Sequence, residues 1–333
     1  MLSLQYPIIQ APMAGGVSNP ALAAAVSNAG GLGFLAAGYK SVDLLKEEII
    51  ALRKLTKEAF GVNIFVPGNE EVNQEELDAY ERKIDKEAQK LGTNIGKAYY
   101  DDDAWQKKLQ LMLDEKVPIV SFTFGCPSPD IIQSLQSNGT FVIVSVTNLV
   151  EAKLAAKSGA DALCLQGIEA GGHRASFSNN QTEEQDMKLL DFISAVQNDI
   201  NLPLIAAGGM MDGQAIRQVL EAGASAVQLG TAFLLCPESG TNPVHREALN
   251  SSRFTFTEVT RAFTGRRARG LVNHFLKAYT EVAPAAYPHV HQMTQPLRKT
   301  NQVEYMSLWA GEGFKHCREL PAADLIRILM EEQ

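Results

Sequence analysis

The chain has 333 residues, enough for one large domain or two modest ones, and 45% are hydrophobic against 20% charged, the balance of a globular enzyme with a well-buried core. Its 38 acidic residues outnumber its 30 basic ones, for a net charge of −8, which argues against a nucleic-acid partner while leaving room for an anionic substrate in a local basic pocket. No run of about 18 apolar residues marks a membrane span, and the start MLSLQYPIIQAPM lacks the basic region and apolar stretch of a signal peptide, so a cytoplasmic protein is expected.

One unit recurs along the chain: an apolar helix, a Gly-containing turn, then a short apolar strand. Residues Ala21–Ala29 lead through Gly30-Gly31 into Leu32–Leu35, Glu151–Ser158 through Gly159-Ala160 into Asp161–Leu165, and Ile216–Ala222 through Gly223-Ala224 into Ser225–Leu229. Glycine just past a helix end supplies the left-handed cap. Strands apolar on both faces, alternating with helices, indicate a parallel sheet covered by helices. Strands are expected near Pro7–Gln10, Leu32–Leu35, Gly61–Ile64, Pro118–Phe122, Phe141–Ser145, Ala162–Gln166, Pro203–Ala206 and Ala226–Leu229. Leu45, Ile49 and Leu52 form one helical stripe between them, and Leu189, Phe192, Ile193 and Val196 another. Eight such units over roughly 230 residues predict an α/β protein with a TIM (β/α)8 barrel. A doubly wound open sheet is the structural rival.

Two segments fall outside the repeat. Residues 69–116 are long, charged and helix-prone, and are expected as a helical insertion after the third strand, its charges on a solvated face. Residues 237–302 are rich in Pro, His, Arg and aromatics and are expected as a helical cap subdomain over one barrel end. The barrel then spans 1–236. The C-terminal segment 303–333, with Leu325, Ile326 and Leu329 at helical spacing, packs back on it.

In such a barrel the chemistry sits at the C-terminal ends of the strands. The first strand runs into Ala11, Pro12, Met13 and a diglycine, where the backbone passes close to a flat ligand or makes a tight turn. The third carries Asn63, whose amide needs partners, in a neighbouring loop or in a ligand. The fourth runs into Ser121–Pro127, supplying hydroxyls and aromatic surface; Cys126 lies there with no feature that would activate its thiol. Cys126, Cys164, Cys236 and Cys317 are too widely spaced for a zinc pattern or a small disulfide framework, so reduced thiols and no metal are expected.

The sixth strand ends in the sharpest signal. Gln166 offers a donor and an acceptor, Gly171 and Gly172 permit close backbone approach, and His173 projects from that loop able to donate, accept or carry a proton. The seventh strand ends in Gly208 and Gly209 and the eighth in Gln228, Leu229, Gly230 and Thr231. Loops after these two strands are where such barrels hold phosphate. Neither a P-loop nor a dinucleotide fingerprint is present, so a mononucleotide phosphate fits best.

Taken together, QAPMAGG, GVNIF, SFTFGCP, QGIEAGGHR, AAGGM, QLGT and LWAGEG, spread over nearly the whole chain, resemble the FMN-dependent nitronate monooxygenases. The QAPM start and EAGGH loop are shared with the FMN-dependent enoyl-acyl carrier protein reductases; SFTFGCP and the arginine after the histidine resemble the monooxygenase side. The resemblance implies FMN held by Ala11, Pro12, Met13, Asn63, Gln166, Gly171 and Gly172, with Gly208, Gly209, Gln228, Leu229, Gly230 and Thr231 at its phosphate end. It makes His173 the active-site histidine, and alkyl nitronates such as propionate 3-nitronate, with O2, the substrates, giving a carbonyl product and nitrite. Glu312 departs from the glutamine of the family's late motif. Tyr287, His289 and His291 are weaker candidates for substrate contact. The alternatives are an NADH-dependent enoyl-acyl carrier protein reductase and a flavin-binding protein without turnover. A phosphosugar aldolase or isomerase would need a lysine or carboxylate pair at the strand ends, and none stands out. Oligomeric state is not legible.

Overall fold

Eight parallel strands close into a barrel in the computed structural model, which describes residues 4–68 and 70–333. In chain order the strands are β1 (Ile8–Gln10), β2 (Gly33–Ala36), β3 (Phe60–Phe65), β4 (Ile119–Thr123), β5 (Phe141–Val146), β6 (Ala162–Gln166), the short β7 (Gly172–His173), β8 (Leu204–Ala207), β9 (Ala226–Leu229), β10 (Thr257–Thr260) and β11 (Ala268–Leu271). The barrel order is β1-β9-β8-β6-β5-β4-β3-β2, and an Ile9–Leu32 bridge brings β2 back to β1. The expected barrel is therefore the fold, and the open-sheet rival is excluded.

The strands are apolar on both faces because both faces are covered. Val62, Val120, Val142, Val144, Leu163, Leu165 and Val227 pack outward against helices. Ile9, Phe34, Ile119, Ile143, Ala162, Cys164, Ile205 and Ala226 fill the barrel interior. Side chains alternate along a strand, so the inward series continues toward the C-terminal ends as Asn63, Ser121, Thr123, Ser145, Gln166 and Gln228. The barrel lumen thus changes from aliphatic to hydrogen-bonding within about two residues of each strand, and that gradient positions the site.

Side-chain caps start several barrel helices: the carboxamides of Asn19 and Asn148 and the carboxylate of Asp212 accept from Leu22, Glu151 and Ala215 N–H. Two glycines are required by close approach. A Cβ on Gly33 would overlap the Ala23 carbonyl, and one on Gly61 would overlap the Phe34 ring.

The segments outside the repeat differ from expectation in three ways. Residues 69–116 are not one insertion. The helix Trp105–Asp114 buries Trp105, Leu109 and Met112 against Val62, Val120 and Leu52, so it is a barrel helix between β3 and β4. Only the helix Gln74–Lys90 lies apart, and its Leu77, Tyr80 and Ile84 are buried with Phe263, Phe275 and Val290. Its charged face is not wholly solvated either, because Glu87 is buried and accepts from Tyr279 and Tyr305 hydroxyls. Finally, 237–302 is not purely helical: β10, β11 and β7 form an antiparallel sheet, with Ala268 opposite His173 and Arg269 opposite Gly172. At the C-terminus, the helix Ala322–Glu331 buries Leu325, Ile326 and Leu329 beside Leu22, Val26 and Ile216. Among the described residues no helix is long and apolar enough to cross a membrane.

Gly33→Ala forces the helix Pro20–Asn28 away from β2, because the obstructing atoms are backbone. A loss of about 1–3 kcal/mol or more is expected, read as a lower urea midpoint in equilibrium unfolding.

Candidate active site

The hydrogen-bonding end of the barrel opens into a cavity of about 810 Å³. Most residues singled out from the strand ends line it: Ala11, Pro12 and Met13 after β1, Asn63 on β3, Gln166 closing β6, Gly171, Gly172 and His173 beyond it, Gly208 and Gly209 after β8, and Gln228, Leu229, Gly230 and Thr231 at β9; of Ser121–Pro127 only Thr123 and Phe124 do, and Cys126 does not. The fold brings these segments, far apart in sequence, to one face.

Local contacts fix the lining. The Asn63 amide donates to Ser121 Oγ and Thr123 Oγ1, both at 2.9 Å, leaving its Oδ1 without a partner among the described residues. Gln166 is more committed than its sequence position suggests. Its Oε1 accepts from Arg174 Nη1 and Ala175 N–H at 2.9 Å, and its Nε2 donates to the His173 carbonyl at 2.9 Å. One Nε2 proton is left for a ligand. Arg174 is buried and also donates to the Gly167 carbonyl, so it clamps the end of β6 to the histidine loop.

His173 Nε2 lies 3.0 Å from Thr264 Oγ1, and that hydroxyl sits 3.2 Å from the Arg266 carbonyl. The ring stands among Phe124, Tyr287 and Trp309, with centroids 5.4 to 6.2 Å away. Burial, then the Arg266 and Arg298 charges, push its pKa down to about 3. At neutral pH the ring is uncharged.

On the cap side, sequence reading offered His291 as a weaker candidate but missed Gln295 and Arg298. All three line the cavity from one face of the helix His289–Arg298; their 4-then-3 spacing in a segment without the repeat was the available signal. Arg298 Nη2 donates to the His291 carbonyl at 2.8 Å, and Arg266 lies 4.0 Å over the Phe124 ring. Arg174, Arg267 and Arg269 pair with carboxylates. Arg266 and Arg298 pair with none among the described residues. Burial lowers both only to about 10, so both stay charged. Of the weaker candidates, His291 is in the wall, Tyr287 touches the His173 and Phe124 rings, and His289 does not line the cavity. Glu312 is held by Arg269 at 3.1 Å and is not a lining residue, although its neighbours Gly311 and Gly313 are.

Tyr39, after β2, is a second residue that periodicity could not flag. It takes a left-handed backbone (φ 67°), costing a non-glycine residue about 1–2 kcal/mol. Its N–H donates to Asp103 Oδ1 at 2.9 Å, and that carboxylate is paired at 2.7 Å with Lys108, which is fully buried and donates to the Ala37 carbonyl. The pair, buried at its lysine, holds the strained turn.

The opposite end of the cavity is built from backbone. Gly208 and Gly209 have φ of 136° and 70°. The N–H groups of Gly209, Gly230 and Thr231 find no acceptor among the described residues, which is the donor set an anion takes. A Cβ on Gly230 would stand 3.5 Å from the Ala11 Cβ and 3.6 Å from Met13 Sδ, filling the gap between the β9 and β1 ends. These residues suit a flat ring system with a phosphate tail. Among the described residues no group of three or more His, Cys, Asp or Glu is placed to hold a metal. The four cysteines are unpaired, and burial pushes the Cys126 thiol up, away from thiolate character.

The family model described as nitronate monooxygenase matches residues 1–332. A Pseudomonas aeruginosa protein named nitronate monooxygenase is 42% identical, the match covering 100% of this chain and 97% of that one. A Bacillus subtilis protein named probable nitronate monooxygenase is 37% identical, over 99% and 96%. Among solved structures, a nitroalkane oxidase from Streptomyces ansochromogenes superposes with a TM-score of 0.95 at 46% identity, over 99% and 96% of the two chains. FabK from Thermotoga maritima superposes at 0.78 and 29%, over 99% and 93%.

Three buried histidines couple this site to pH. Burial holds His173 near 3, His245 near 4 and His291 near 2, against 6.5 in an unfolded chain. Below about pH 6.5 the unfolded state takes up protons that the folded state refuses. Stability present at neutral pH is therefore lost as pH falls from 6.5 toward 4 and below. The melting temperature should drop across that window, and His245→Phe should make the drop shallower; an unchanged slope would show that His245 is protonated in the fold.

Proposed function

The chain belongs to the nitronate monooxygenase family, and on that premise we propose that it is an FMN-dependent enzyme that oxidises alkyl nitronates with O2 to a carbonyl product and nitrite. The observation that carries the reading is the charge of the cavity. The protein holds 38 acidic residues and a net charge of −8, yet among the described residues no Asp or Glu lines the cavity, while Arg298 and Lys299 do. Such a site repels cations and favours an anion, which a nitronate is.

In this reading Ala11, Pro12, Met13, Asn63, Gln166, Gly171 and Gly172 hold the flavin ring, and Gly208, Gly209, Gln228, Leu229, Gly230 and Thr231 its phosphate. Bound FMN would supply the electron acceptor for the nitronate and the route to O2. The chain supplies orientation and electrostatics. Arg298 offers a fixed cation in a partly desolvated wall. Phe65, Phe124 and Trp309 exclude water beside His173. With Nε2 against Thr264, Nδ1 is the histidine nitrogen left for the substrate. When the Thr264 hydroxyl donates to Nε2, Nδ1–H can donate to a nitronate oxygen. When Thr264 donates to the Arg266 carbonyl instead, Nε2–H donates to Thr264, and the Nδ1 lone pair can remove the α-proton of a neutral nitroalkane.

The direct test is an absorbance spectrum of the purified protein followed by anaerobic addition of propionate 3-nitronate. Bleaching of flavin bands supports the reading. Bands that ignore nitronate and bleach with NADH favour the reductase alternative, and bands that ignore both favour a flavin-binding protein without turnover. A colourless protein that FMN cannot reconstitute overturns the proposal. His173→Asn should lower turnover by roughly 10²–10⁴-fold with flavin content unchanged; undiminished turnover removes the histidine from the mechanism. Arg298→Met should raise KM for the nitronate about tenfold or more, and flatten the fall of kcat/KM with added salt.

A further inference from the structure

The cavity opens to solvent along a rim of exposed residues that includes Gly15, Gly240, Pro243, Lys299 and Asn301. Tyr39 is on this open side: it lines the cavity and is also 36% exposed. Its ring lies flat on His291, with centroids 4.1 Å apart and planes 8° from parallel, and meets Phe65 edge-on at 5.5 Å. Its hydroxyl is 3.3 Å from that of Tyr287. Inward from it the aromatic wall continues through Phe65 and Phe124 to His173, with centroid steps of 4.5 and 5.8 Å. The ring thus stands between the rim and the histidine, and bridges a barrel loop to the cap.

Nothing in the β2 turn requires a large side chain. A left-handed residue there would be met more easily by Gly or Asn, and instead the Lys108–Asp103 pair keeps a tyrosine in that conformation. We propose that Tyr39 is a specificity-determining residue, its ring limiting the bulk of the carbon chain carried by the nitronate, with Lys108 and Asp103 as the positioning pair that fixes the ring. The proposal rests on the nitronate reading of the site. It makes substrate size a property of a contact between the loop after β2 and the cap.

The test compares kcat/KM for the nitronates of nitroethane and nitrocyclohexane in the wild-type protein, Tyr39→Phe and Tyr39→Ala. Tyr39→Ala should raise the bulky-to-small ratio about tenfold or more, and Tyr39→Phe, which keeps the ring, should stay near the wild-type ratio. If Tyr39→Ala does not fold, Tyr39→Leu should shift the ratio in the same direction. A second readout needs no turnover: acrylamide should quench tryptophan fluorescence more strongly in Tyr39→Ala, because Trp309 lies in the cavity wall while Trp105 is in the core. A wild-type enzyme that turns over nitroethane nitronate, with ratio and quenching both unmoved in the variants, overturns the role of Tyr39 alone. A wild-type enzyme that turns over neither nitronate overturns the functional reading, and the size limit with it.

Discussion

The seam between β1 and β2 is the most sparsely paired part of the barrel, and the arrangement above the strand ends depends on how it is closed. Among the described residues the strands share only the Ile9–Leu32 bridge and its backbone bonds, Leu32 N–H to Ile8 O and Gln10 N–H to Leu32 O, both 2.9 Å. The fully buried Gln10 side chain extends the seam. Its Oε1 accepts from Phe34 N–H at 3.0 Å, and its Nε2 donates to Ser18 Oγ at 2.8 Å. Ser18 Oγ in turn accepts from Met13 N–H. A buried amide must satisfy its hydrogen bonds, and satisfying this one ties barrel closure to the course of residues 11–18. Ala11 and Met13 thereby come within reach of Gly230, at the end of the other strand that β1 touches.

The cap is joined to this frame by backbone pairing and charge. Through β7, the loop carrying His173 becomes the edge of a sheet whose other strands belong to the cap. Arg174 and Arg267 both reach Asp186, and Arg174 also grips the end of β6. Buried ion pairs of this kind contribute little net stability against well-packed apolar side chains. Here they fix which backbone groups face one another, so the histidine has one position relative to Gln166 and Thr264.

Charges are sorted by place. The carboxylates near the site are each engaged with an arginine, a lysine or a backbone N–H, as in Asp186, Glu312, Asp103 and Glu169. The cavity keeps neutral histidines, hydroxyls and Arg298, while Arg266 lies behind its wall over the Phe124 ring, and neither arginine has an acid partner among the described residues. An anion entering it would meet cations already desolvated, whose interaction is stronger than in water. The same two charges help keep His173 uncharged, so one arrangement favours both the anion and the neutral ring.

The barrel was legible in the chain because its strands are apolar on both faces and its helices end in glycine turns, local patterns that only a covered parallel sheet satisfies. The residues after each strand were legible for a related reason: glycine, amide and hydroxyl positions break an apolar run where it leaves the core. The helix Trp105–Asp114 was misplaced because its apolar stripe, hidden among charges, gives no sign of which strand it covers. Arg298, Gln295 and Tyr39 were missed for a similar reason. Arg298 and Gln295 belong to a segment without a repeat and Tyr39 to the loop after β2, and a side chain's partners there depend on contacts between residues hundreds of positions apart, such as Tyr39 with His291. By itself the sequence determined the barrel, its register of polar strand ends and the glycines at the tops of β8 and β9, because these follow from periodicity and backbone freedom. The tertiary structure alone decided the charge of the cavity, the neutrality of His173 and the side chains that close the mouth, because burial and long-range pairing exist only once the cap lies over the barrel.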